Sequence, residues 1–353
     1  MSPAPPPEEA NSLSEGQGRR PKGAPVTMVA RAAVIIVNWN SGAHLSACLQ
    51  ALAVQTESCF RALVVDNASD DGSQAQVAAL GDARFALLQL DANTGFAHAN
   101  NVGVRHCADG EFVALLNPDA IPAPDWLAQL LRAAQEHPQA AAFGSHLVAS
   151  DDHDLSDGTG DVYHFTGRAW RRDHRVPVRH SVNAAGEIFA PCAAAALYRR
   201  SAWEEAGGLD DDFFCYMEDV DLGFRLRLLG WRARHVPASV CYHAGSAVTG
   251  RRSDFSTYYG QRNMVWTFVK NMPSWLFWLL LPAHLLLNLL APLAFTARGQ
   301  VRLVLRAKRD AVRQWRSVWR KRGEVQARRA VAPGAVWAAL DKGWPAPRNA
   351  HAR

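Results

Sequence analysis

The sequence predicts an α/β fold, a mostly parallel sheet with helices on both faces, followed by a C-terminal helical extension that associates with a membrane. Apolar runs of strand length alternate with helical patterns through the first part of the chain, which is typical of parallel sheets. Near residue 275 a long apolar segment begins, and a strongly basic segment follows it. These observations separate a globular body from the extension.

Four strands are predicted in the first part of the body, and each is followed by a helix or a helical pattern. The strands cover residues 32–37, 62–65, 85–90 and 112–116. The helical patterns are weak after the second strand and clearer elsewhere, with Leu45, Leu49 and Leu52 on one face, Ala99 and Val102 in the third helix and Asp125 at the start of the fourth.

The second part of the body is less regular. Residues 150–185 are rich in Asp, His and Arg, and we expect a long irregular insertion there. Its histidines have no spacing typical of metal ligands; they are His153, His164, His174 and His180. A helix through Phe224 and Leu228 and a strand over 236–242 are predicted after it.

The charge of the chain is unevenly distributed. Residues 298–353 carry 15 Lys and Arg against 3 acidic residues, a net charge of +12, whereas the preceding 297 residues carry −7. A basic tail on an acidic body indicates contact with an anionic surface, either lipid headgroups or nucleic acid. Trp315 and Trp319 lie on the apolar side of a predicted helix instead of between its arginines, which argues against nucleic acid.

Six scattered cysteines form no C-x-x-C pair, which argues against a zinc site or a disulfide framework and fits a reducing cytoplasm.

Polar residues follow the end of each of the four predicted strands. They are Asn38 and Asn40, Asp66 and Asn67, Asn93, and Asn117 and Asp119. In open α/β sheets ligands bind at this edge. Asn and Asp also favour turns, so a single loop of this kind would mean little, but four successive loops indicate a binding edge. The glycines match neither G-x-G-x-x-G nor a Walker loop, so the phosphate cradle of a dinucleotide or P-loop site is missing.

Three carboxylates lie among large apolar residues at Glu218, Asp219 and Asp221. A helix N-terminus explains Asp221, which can pair with Arg225 four residues later. Aromatic neighbours would exclude water from the other two and raise their pKa, so each is a candidate general base. His243 follows a predicted strand and could be structural. If it lies beside Asp119, the pair suits Mg²⁺ or Mn²⁺ bound to a diphosphate.

An ordered set of motifs resembles family 2 glycosyltransferases, most of all their rhamnosyltransferase-like branch, over residues 32–271. The motifs are VNWN (37–40), VVDNASDDGS (64–73), NTGFAHANNVG (93–103), LLNPD (115–119), PCAAAALYRRSAW (191–203), GGLDDDFFCYMEDVDLGFRLRLLGWR (207–232) and YHAGSA (242–247). The resemblance implies a GT-A fold, which is Rossmann-like, and inverting transfer of a sugar from a nucleotide-sugar donor to an acceptor hydroxyl.

The resemblance also implies roles for individual residues. Asp66 would hold the nucleoside, Asp119 and His243 would bind the metal, and Asp219 would be the catalytic base, with Glu218 as a supporting acid. The implied donor-binding residues are Val37, Asn38, Asn40, Asp66, Asn67, Asn93, Gly95, Phe96, Asn100 and Asn117. Asn117 stands where the family often has the first acid of its metal motif, and Cys192 is followed by Ala where the family often has Gly.

The chemistry agrees with these roles. A divalent metal would stabilise the departing nucleoside diphosphate, and a single base with in-line displacement gives inversion. The donor dTDP-rhamnose follows from the branch alone. One alternative is a nucleotidyltransferase, whose first loop is typically Gly-rich and basic, whereas 38–42 is neutral. Another is a non-catalytic sugar-binding membrane scaffold, which should have lost Asp119, Asp219 or His243.

Three regions follow from this interpretation. Residues 1–27 would be a disordered leader, since they lack the apolar core of a signal peptide. Residues 28–271 would be the catalytic domain, with a nucleotide-binding half (28–120) and an acceptor and catalytic half (121–271). Residues 272–353 would be an apolar segment and a basic amphipathic tail.

The apolar segment, 275–295, is long enough to span a bilayer, but Pro282, His284, Asn288 and Pro292 interrupt it. The catalytic body and the +12 tail should both stay cytoplasmic. We therefore expect peripheral or re-entrant attachment at the cytoplasmic face of the inner membrane, near a saccharide or lipid-linked acceptor. The basic face repeats at Arg302, Arg306, Arg309, Arg313, Arg316 and Arg320, and another face is lined by Val301, Leu305, Val312, Trp315 and Trp319.

Overall fold

A computed structural model describes residues 30–181, 183–245 and 253–343. The predicted leader, the last two residues of the motif at 242–247 and the end of the basic tail lie outside the described residues.

The first part of the chain alternates strands and helices, and the four predicted strands are confirmed to within two residues at each end. In chain order the elements are β1 (Ala32–Asn38), α1 (Ala43–Ala53), β2 (Phe60–Asp66), α2 (Ala75–Ala79), β3 (Phe85–Gln89), α3 (Phe96–His106), β4 (Phe112–Leu116), β5 (Ala120–Pro122), α4 (Trp126–Glu136) and β6 (Ala140–Ala149).

Residues 150–185 are more ordered than expected, because they contain three short strands. These are β7 (Ser156–Gly158), β8 (Asp161–Tyr163) and β9 (Ala169–Arg171), and the last two pair as a hairpin. The prediction of an irregular insertion was wrong in this respect. Strands of three residues are too short to show the alternating pattern from which a strand is predicted.

The rest of the chain is mainly helical. Its elements are β10 (Gly186–Ile188), β11 (Ala195–Arg199), α5 (Arg200–Ala206), α6 (Glu218–Leu228), β12 (Arg232–His243), α7 (Asp254–Asn271), α8 (Ser274–Ala294), α9 (Val301–Arg313), α10 (Trp315–Ala327) and α11 (Pro333–Ala339). The basic amphipathic segment, expected as one helix, is two helices that meet at Gln314.

The sheet has a parallel core and antiparallel additions. Its order is β10-β12-β6-β11-β4-β1-β2-β3, with β5 beside β12 and β7 beside β6. β1 is parallel to both β2 and β4, and β12 is parallel to β6, while β11 runs antiparallel between β4 and β6. β4 and β12 therefore point the same way, so Asn117 and Asp119 lie at the same edge as His243.

Helices cover both faces of the sheet, as predicted. Alternate residues of β1 point to opposite faces: Val34 and Ile36 pack with α1 and α4, whereas Ile35 and Val37 pack with α3, α5 and α6. Each residue of β1 is buried, which explains its unbroken apolar sequence.

A third apolar layer joins the C-terminal helices to the hairpin of β8 and β9. Tyr163, Phe224, Phe268, Leu276 and Val336 belong to one buried cluster. Backbone hydrogen bonds reinforce it, since Asp341 N donates to Tyr163 O at 2.9 Å and Phe165 N donates to Asp341 O at 3.1 Å. His284 of α8 also contacts the hairpin turn, with Nδ1 2.7 Å from Thr166 O.

The helix α8 is only partly covered by protein. Leu276, Phe277, Leu280 and His284 are buried, and most of the remaining apolar side chains face outward. The exposed ones are Trp275, Trp278, Leu279, Leu285, Leu286, Leu289, Leu290 and Leu293. By length and composition, the segment Ser274–Arg298 could cross a membrane.

Candidate active site

A cavity of about 390 Å³ opens at the edge where β1, β2, β4 and β12 end. This volume is within the range of small-ligand sites. Its wall includes loops after the parallel strands, the hairpin of β8 and β9, residues 214–220 and the start of α7. The predicted residues that line it are Val37, Asn67, Asn93, Gly95, Phe96, Asn117, Asp119, Glu218, Asp219 and His243.

Four predicted donor-binding residues, Asn38, Asn40, Asp66 and Asn100, do not line the cavity. The Asn38 amide donates to Asp66 Oδ1 at 2.8 Å, and Ser69 N donates to Asp66 Oδ2 at 3.1 Å. The Asn100 amide donates to Phe96 O at 2.8 Å. These side chains lie behind the cavity wall and fix the shape of its loops, so their predicted contact with the donor stays a prediction.

The amides of Asn67 and Asn93 connect two adjacent loops of this wall. Asn67 Nδ2 donates to Asn93 Oδ1 at 2.9 Å, and Asn67 Oδ1 accepts from Thr94 N at 2.9 Å. Asn93 Oδ1 also accepts from Gly95 N at 3.0 Å. Because Asn67 is bonded through both its amide nitrogen and its amide oxygen, the loops after β2 and β3 keep a fixed spacing at the cavity.

The segment before α6 has a strained backbone. Phe214, Tyr216 and Met217 all have positive φ angles, of 65°, 68° and 71°. Such angles are rare outside glycine and are maintained only where surrounding contacts enforce them. Phe214 lies so close to Gly95 that a Cβ on that glycine would be 2.6 Å from the Phe214 ring, so only glycine fits there.

Two buried polar residues of α7 hold this segment in place. Asn263 Nδ2 donates to the carbonyls of Phe213, Cys215 and Tyr216, at 2.7–3.0 Å. Arg262 donates to the carbonyl of Phe213 as well, at 2.9 Å. The strained turn that leads to Glu218 and Asp219 is therefore fixed by side chains about 50 residues further along the chain.

The start of α6 is also anchored from below. Asp221 is fully buried and accepts from Arg225 Nε at 2.8 Å, which confirms the predicted pair, and from Lys270 Nζ and Asn271 Nδ2 of α7. These three hydrogen-bond donors compensate the buried carboxylate for the hydration that it loses on folding. The contact locks the first turn of α6 against α7.

Asp219 presents its carboxylate to the cavity in a defined orientation. Ala193 N donates to Oδ2 at 3.1 Å and Val220 N donates to Oδ1 at 2.8 Å. Removal from bulk water raises the pKa of Asp219, against the opposing effects of these two amides and of Arg171. A carboxylate that is held in place and has a raised pKa is a suitable proton acceptor.

The carboxyl groups of Glu218 and Asp161 lie close to that of Asp219, so ionisation of Asp219 disfavours ionisation of the other two. Burial and the neighbouring Asp219 raise the pKa of Glu218 well above its usual range, and the same two causes raise that of Asp161. Within the described part of the chain Glu218 Oε2 has no hydrogen-bond partner. Burial and mutual repulsion therefore both oppose the simultaneous ionisation of these three carboxyls.

Asp119 and His243 are brought together as expected. Both are buried, and His243 Nε2 lies 3.4 Å from Asp119 Oδ1 and 3.4 Å from the Asn117 amide nitrogen. Burial lowers the pKa of His243, but its hydrogen bonds to Asp119 and Asp157 outweigh this effect and raise it.

A divalent metal fits the Asp119 and His243 pair. One carboxylate oxygen and one imidazole nitrogen converge on the cavity wall, and Asn117 Oδ1 is a buried acceptor with no partner among residues 30–181, 183–245 and 253–343. Over these residues no group of three or more His, Cys, Asp or Glu forms a complete metal site. Two protein ligands leave positions for phosphate oxygens and water.

Several residues that line the cavity were not predicted as site residues from the sequence. They are Trp39, Asp161, Trp170, Arg171 and Phe255. Asp157, which is 1% exposed and bonded to His243, was not predicted either. Burial alone would raise the pKa of Asp157, but Arg171, His174 and His243 hold it well below its usual range. The stretch 156–161 reads Ser-Asp-Gly-Thr-Gly-Asp, a composition that indicates only a turn, so no local signal identified these residues.

Comparison with known proteins gives a consistent result. The family model described as Glycosyl transferase family 2 matches residues 33–207. Over 243 residues the chain is 31% identical to the N-acetylglucosaminyl-diphospho-decaprenol L-rhamnosyltransferase of Mycobacterium tuberculosis, covering 62% of this chain and 77% of that protein. It is 28% identical to the rhamnosyltransferase WbbL of Escherichia coli K12, over 42% of this chain and 60% of that one.

Solved structures share the fold. The mannosyltransferase PcManGT from Pyrobaculum calidifontis, in complex with GDP-Man and Mn²⁺, gives a TM-score of 0.53 at 20% identity and covers 88% of this chain and 87% of that one. GalNAc-T7 with UDP, GalNAc and Mn²⁺ gives 0.55 at 12% identity, over 69% and 48% of the two chains. This likeness confirms the predicted GT-A fold.

Proposed function

Because this chain belongs to glycosyl transferase family 2, and two of its relatives are rhamnosyltransferases, one of them named for a diphospho-decaprenol substrate, we propose that it is an inverting, metal-dependent rhamnosyltransferase. The donor would be dTDP-rhamnose and the acceptor a hydroxyl of a lipid-linked or cell-surface polysaccharide precursor. The observation that carries the proposal is that Asp219 and the Asp119 and His243 pair line one cavity.

Asp219 is proposed as the base that takes the proton of the acceptor hydroxyl. Its two oxygens are held by backbone amides, so the carboxylate points into the cavity without rearranging. One base that deprotonates the acceptor gives direct displacement at the sugar carbon, and direct displacement inverts the configuration there. Glu218, which is buried and whose pKa is raised, is proposed as a supporting acid that keeps negative charge on Asp219.

Asp119 and His243 are proposed as the protein ligands of Mg²⁺ or Mn²⁺. When bound, the metal would neutralise the charge that develops on the leaving nucleoside diphosphate. The loops after β1, β2 and β3 are proposed to hold the nucleoside. Val37, Asn67, Asn93 and Asn117 line the cavity, and Asp66 supports them from behind.

A donor panel tests the reaction. Purified protein with a polyprenyl-diphosphate saccharide acceptor should turn over dTDP-rhamnose in preference to UDP-glucose or UDP-galactose. Chelation should abolish transfer, and added Mn²⁺ should restore it. Asp119→Ala should lose activity by about 100-fold or more, whereas Asp91→Asn, an exposed acid outside the cavity, should not change it. Full activity after exhaustive chelation would contradict the metal proposal.

The C-terminal helices are proposed to attach the protein to the cytoplasmic face of the inner membrane without a full crossing. The helices before and after α8 pack together, since Trp266 of α7 donates to Ala311 O of α9 at 3.2 Å and Arg322 of α10 donates to Met272 O. Both ends of α8 therefore lie on the same body, which supports an interfacial or re-entrant arrangement.

The exposed surface has the composition of an interfacial helix. The outward face of α8 is apolar, and Trp319 of α10 contacts Phe277 of α8 beside it. Exposed arginines of α9, among them Arg306, Arg309 and Arg313, add positive charge. Such a surface binds anionic headgroups through charge and the acyl boundary through its apolar residues.

Vesicle binding tests this attachment. Protein should sediment with vesicles that contain phosphatidylglycerol and bind pure phosphatidylcholine vesicles several-fold less. Leu289→Glu on the outward face of α8 should weaken binding, while Val54→Glu should not, because Val54 is equally exposed but lies at the end of α1. Labelling from outside intact cells of a cysteine placed at Ala330 would show a crossing and contradict the proposal.

A further inference from the structure

The carboxylate of Asp157 is buried and lies at the centre of three basic side chains, of which His243 is buried and Arg171 and His174 are partly exposed. Its side chain is 1% exposed, and its Oδ2 accepts from Arg171 and lies 2.7 Å from His243 Nδ1. Its Oδ1 is 3.2 Å from His174 Nδ1. Burying a carboxylate so deeply is costly, and a surface ion pair would serve if the only need were to fasten the hairpin.

We propose that Asp157 is a positioning residue that orients His243 toward a divalent metal; this rests on the proposed function, in which Asp119 and His243 hold that metal. The contact fixes the imidazole, since Nδ1 must donate its proton to Asp157 Oδ2. Nε2 is then the nitrogen left to offer a lone pair to a metal, and it faces Asp119 and the Asn117 amide.

A carboxylate behind a metal-binding histidine has two effects. It holds the ring plane and the tautomer, and its negative charge makes the metal-facing nitrogen a better electron donor. Asp157 can do both because it belongs to β7, which pairs with β6 beside β12, the strand that ends at His243. The sheet therefore fixes the distance between the two side chains.

Arg171 has a separate task. It comes from β9 of the hairpin, donates to Asp157 and lies 3.1 Å from Cys192 Sγ. A Cβ on Gly158 would overlap the Cγ and Cδ atoms of Arg171, so only glycine leaves room for the aliphatic part of that side chain. Arg171 balances the buried charge of Asp157 and ties it to the hairpin, whereas the bond from Asp157 to His243 acts on the metal. The two roles can be tested apart.

The test measures metal affinity without turnover. Mn²⁺ alone is titrated into the full-length protein, and free Mn²⁺ is followed by electron paramagnetic resonance. Asp157→Asn keeps the shape but removes the charge, and Asp157→Ala removes the acceptor. We expect the dissociation constant to rise about 10-fold for Asn and toward 100-fold for Ala. Asp173→Asn, in the same insertion and bonded to Thr159, should bind as the wild type does.

The transfer reaction should show the same loss of Mn²⁺ affinity. For Asp157→Asn, the Mn²⁺ concentration at half-maximal rate should rise with the dissociation constant, the KM for acceptor should stay unchanged, and high Mn²⁺ should restore kcat. A role in folding alone would lower the amount of active protein and would not shift the metal dependence.

A second pair of variants covers the case in which Asp157→Ala does not fold because Arg171 is left unpaired. Arg171→Met alone should keep Mn²⁺ affinity within about threefold, because the bond to His243 remains. Asp157→Ala with Arg171→Met should lose it. Equal affinity in wild type, Asp157→Asn and the double variant would overturn the inference and leave the proposed function intact. No Mn²⁺ binding by the wild type would overturn both the metal proposal and this inference.

Discussion

The two walls of the cavity hold their polar groups by different means. On the wall formed by the loops after β1, β2 and β3, the side chains that contact each other are mainly neutral amides, such as Asn67 and Asn93. On the wall formed by the hairpin of β8 and β9 and the start of α6, charged groups lie close together, among them Asp161, Arg171 and Asp219. The first arrangement suits recognition of an uncharged base and ribose, and the second suits control of charge and protons.

The walls also differ in how far along the chain their supporting contacts reach. Asn38 and Asp66 are 28 residues apart, and Asn67 and Asn93 are 26 apart, which is the length of one strand, helix and strand unit. Asp157 and His243 are 86 apart, and the bonds from Asn263 to the strained turn span about 50. Because the first wall is proposed to hold the donor and the second carries the proposed base, a substitution on the first should act on donor binding and one on the second on turnover.

The largest expected effect is on the second wall. Asp219→Asn removes the proposed proton acceptor while keeping the size of the side chain, so kcat should fall about 10³-fold or more, with donor binding unchanged. Stopped-flow turnover and calorimetric titration of donor measure the two quantities. If Asp219→Asn is active and Glu218→Gln is inert, the roles of these two residues are reversed and the distinction between the walls needs redrawing.

A smaller effect is expected on the first wall. Asp66→Ala removes the acceptor of Asn38 and Ser69 N, so the loops behind the nucleoside should lose their fixed spacing. Loss of such charged hydrogen bonds costs about 1.5–3 kcal/mol, or roughly 10- to 100-fold in KM for donor, with kcat changed much less. Asp70→Ala, an exposed neighbour, is the matched control. A fall in kcat at constant KM would mean that this wall also acts in turnover.

The smallest expected effect is on stability. The pKa of Glu218 is raised well above its unfolded value by burial and by Asp219, so folding favours the protonated form. Stability from this group is present at low pH and is lost as pH rises through the folded pKa. Glu218→Gln should thus have a Tm higher than the wild type, by a margin that grows between pH 5 and pH 9. A constant margin across that range would show that folding does not raise the pKa of Glu218.

The sequence identified the first wall better than the second for a physical reason. Strands such as β1 and β4 are buried on both faces, so they appear as unbroken apolar runs, and the polar residues after them mark the sheet edge. Asp119 and His243, which the resemblance of motifs assigns to one metal site, do lie side by side, and their binding of a metal stays a prediction. Asp157 and Arg171 come from strands of three residues, which leave no periodic pattern.

The positive φ angles of Phe214, Tyr216 and Met217 were equally invisible in the sequence. Nothing local favours such angles in aromatic residues, and they exist because Asn263 and Arg262 of α7 hold the carbonyls of this turn. Contacts of this kind depend on the tertiary fold, and no pattern in the sequence shows that α7 packs against the turn.

The hydrogen bond between His164 and Gly343 affects how early in its synthesis the protein can become active. His164 Nε2 lies 3.1 Å from Gly343 O, 179 residues later, and Asp341 pairs with the same hairpin. During synthesis the N-terminal part of a chain folds first, and contacts that close long loops form late. We therefore expect the sheet and the first wall to form on the ribosome, while the hairpin that carries Asp161 and Arg171 is fastened only after α11 has emerged. A nascent chain would be able to fold its proposed nucleotide site well before it could transfer a sugar.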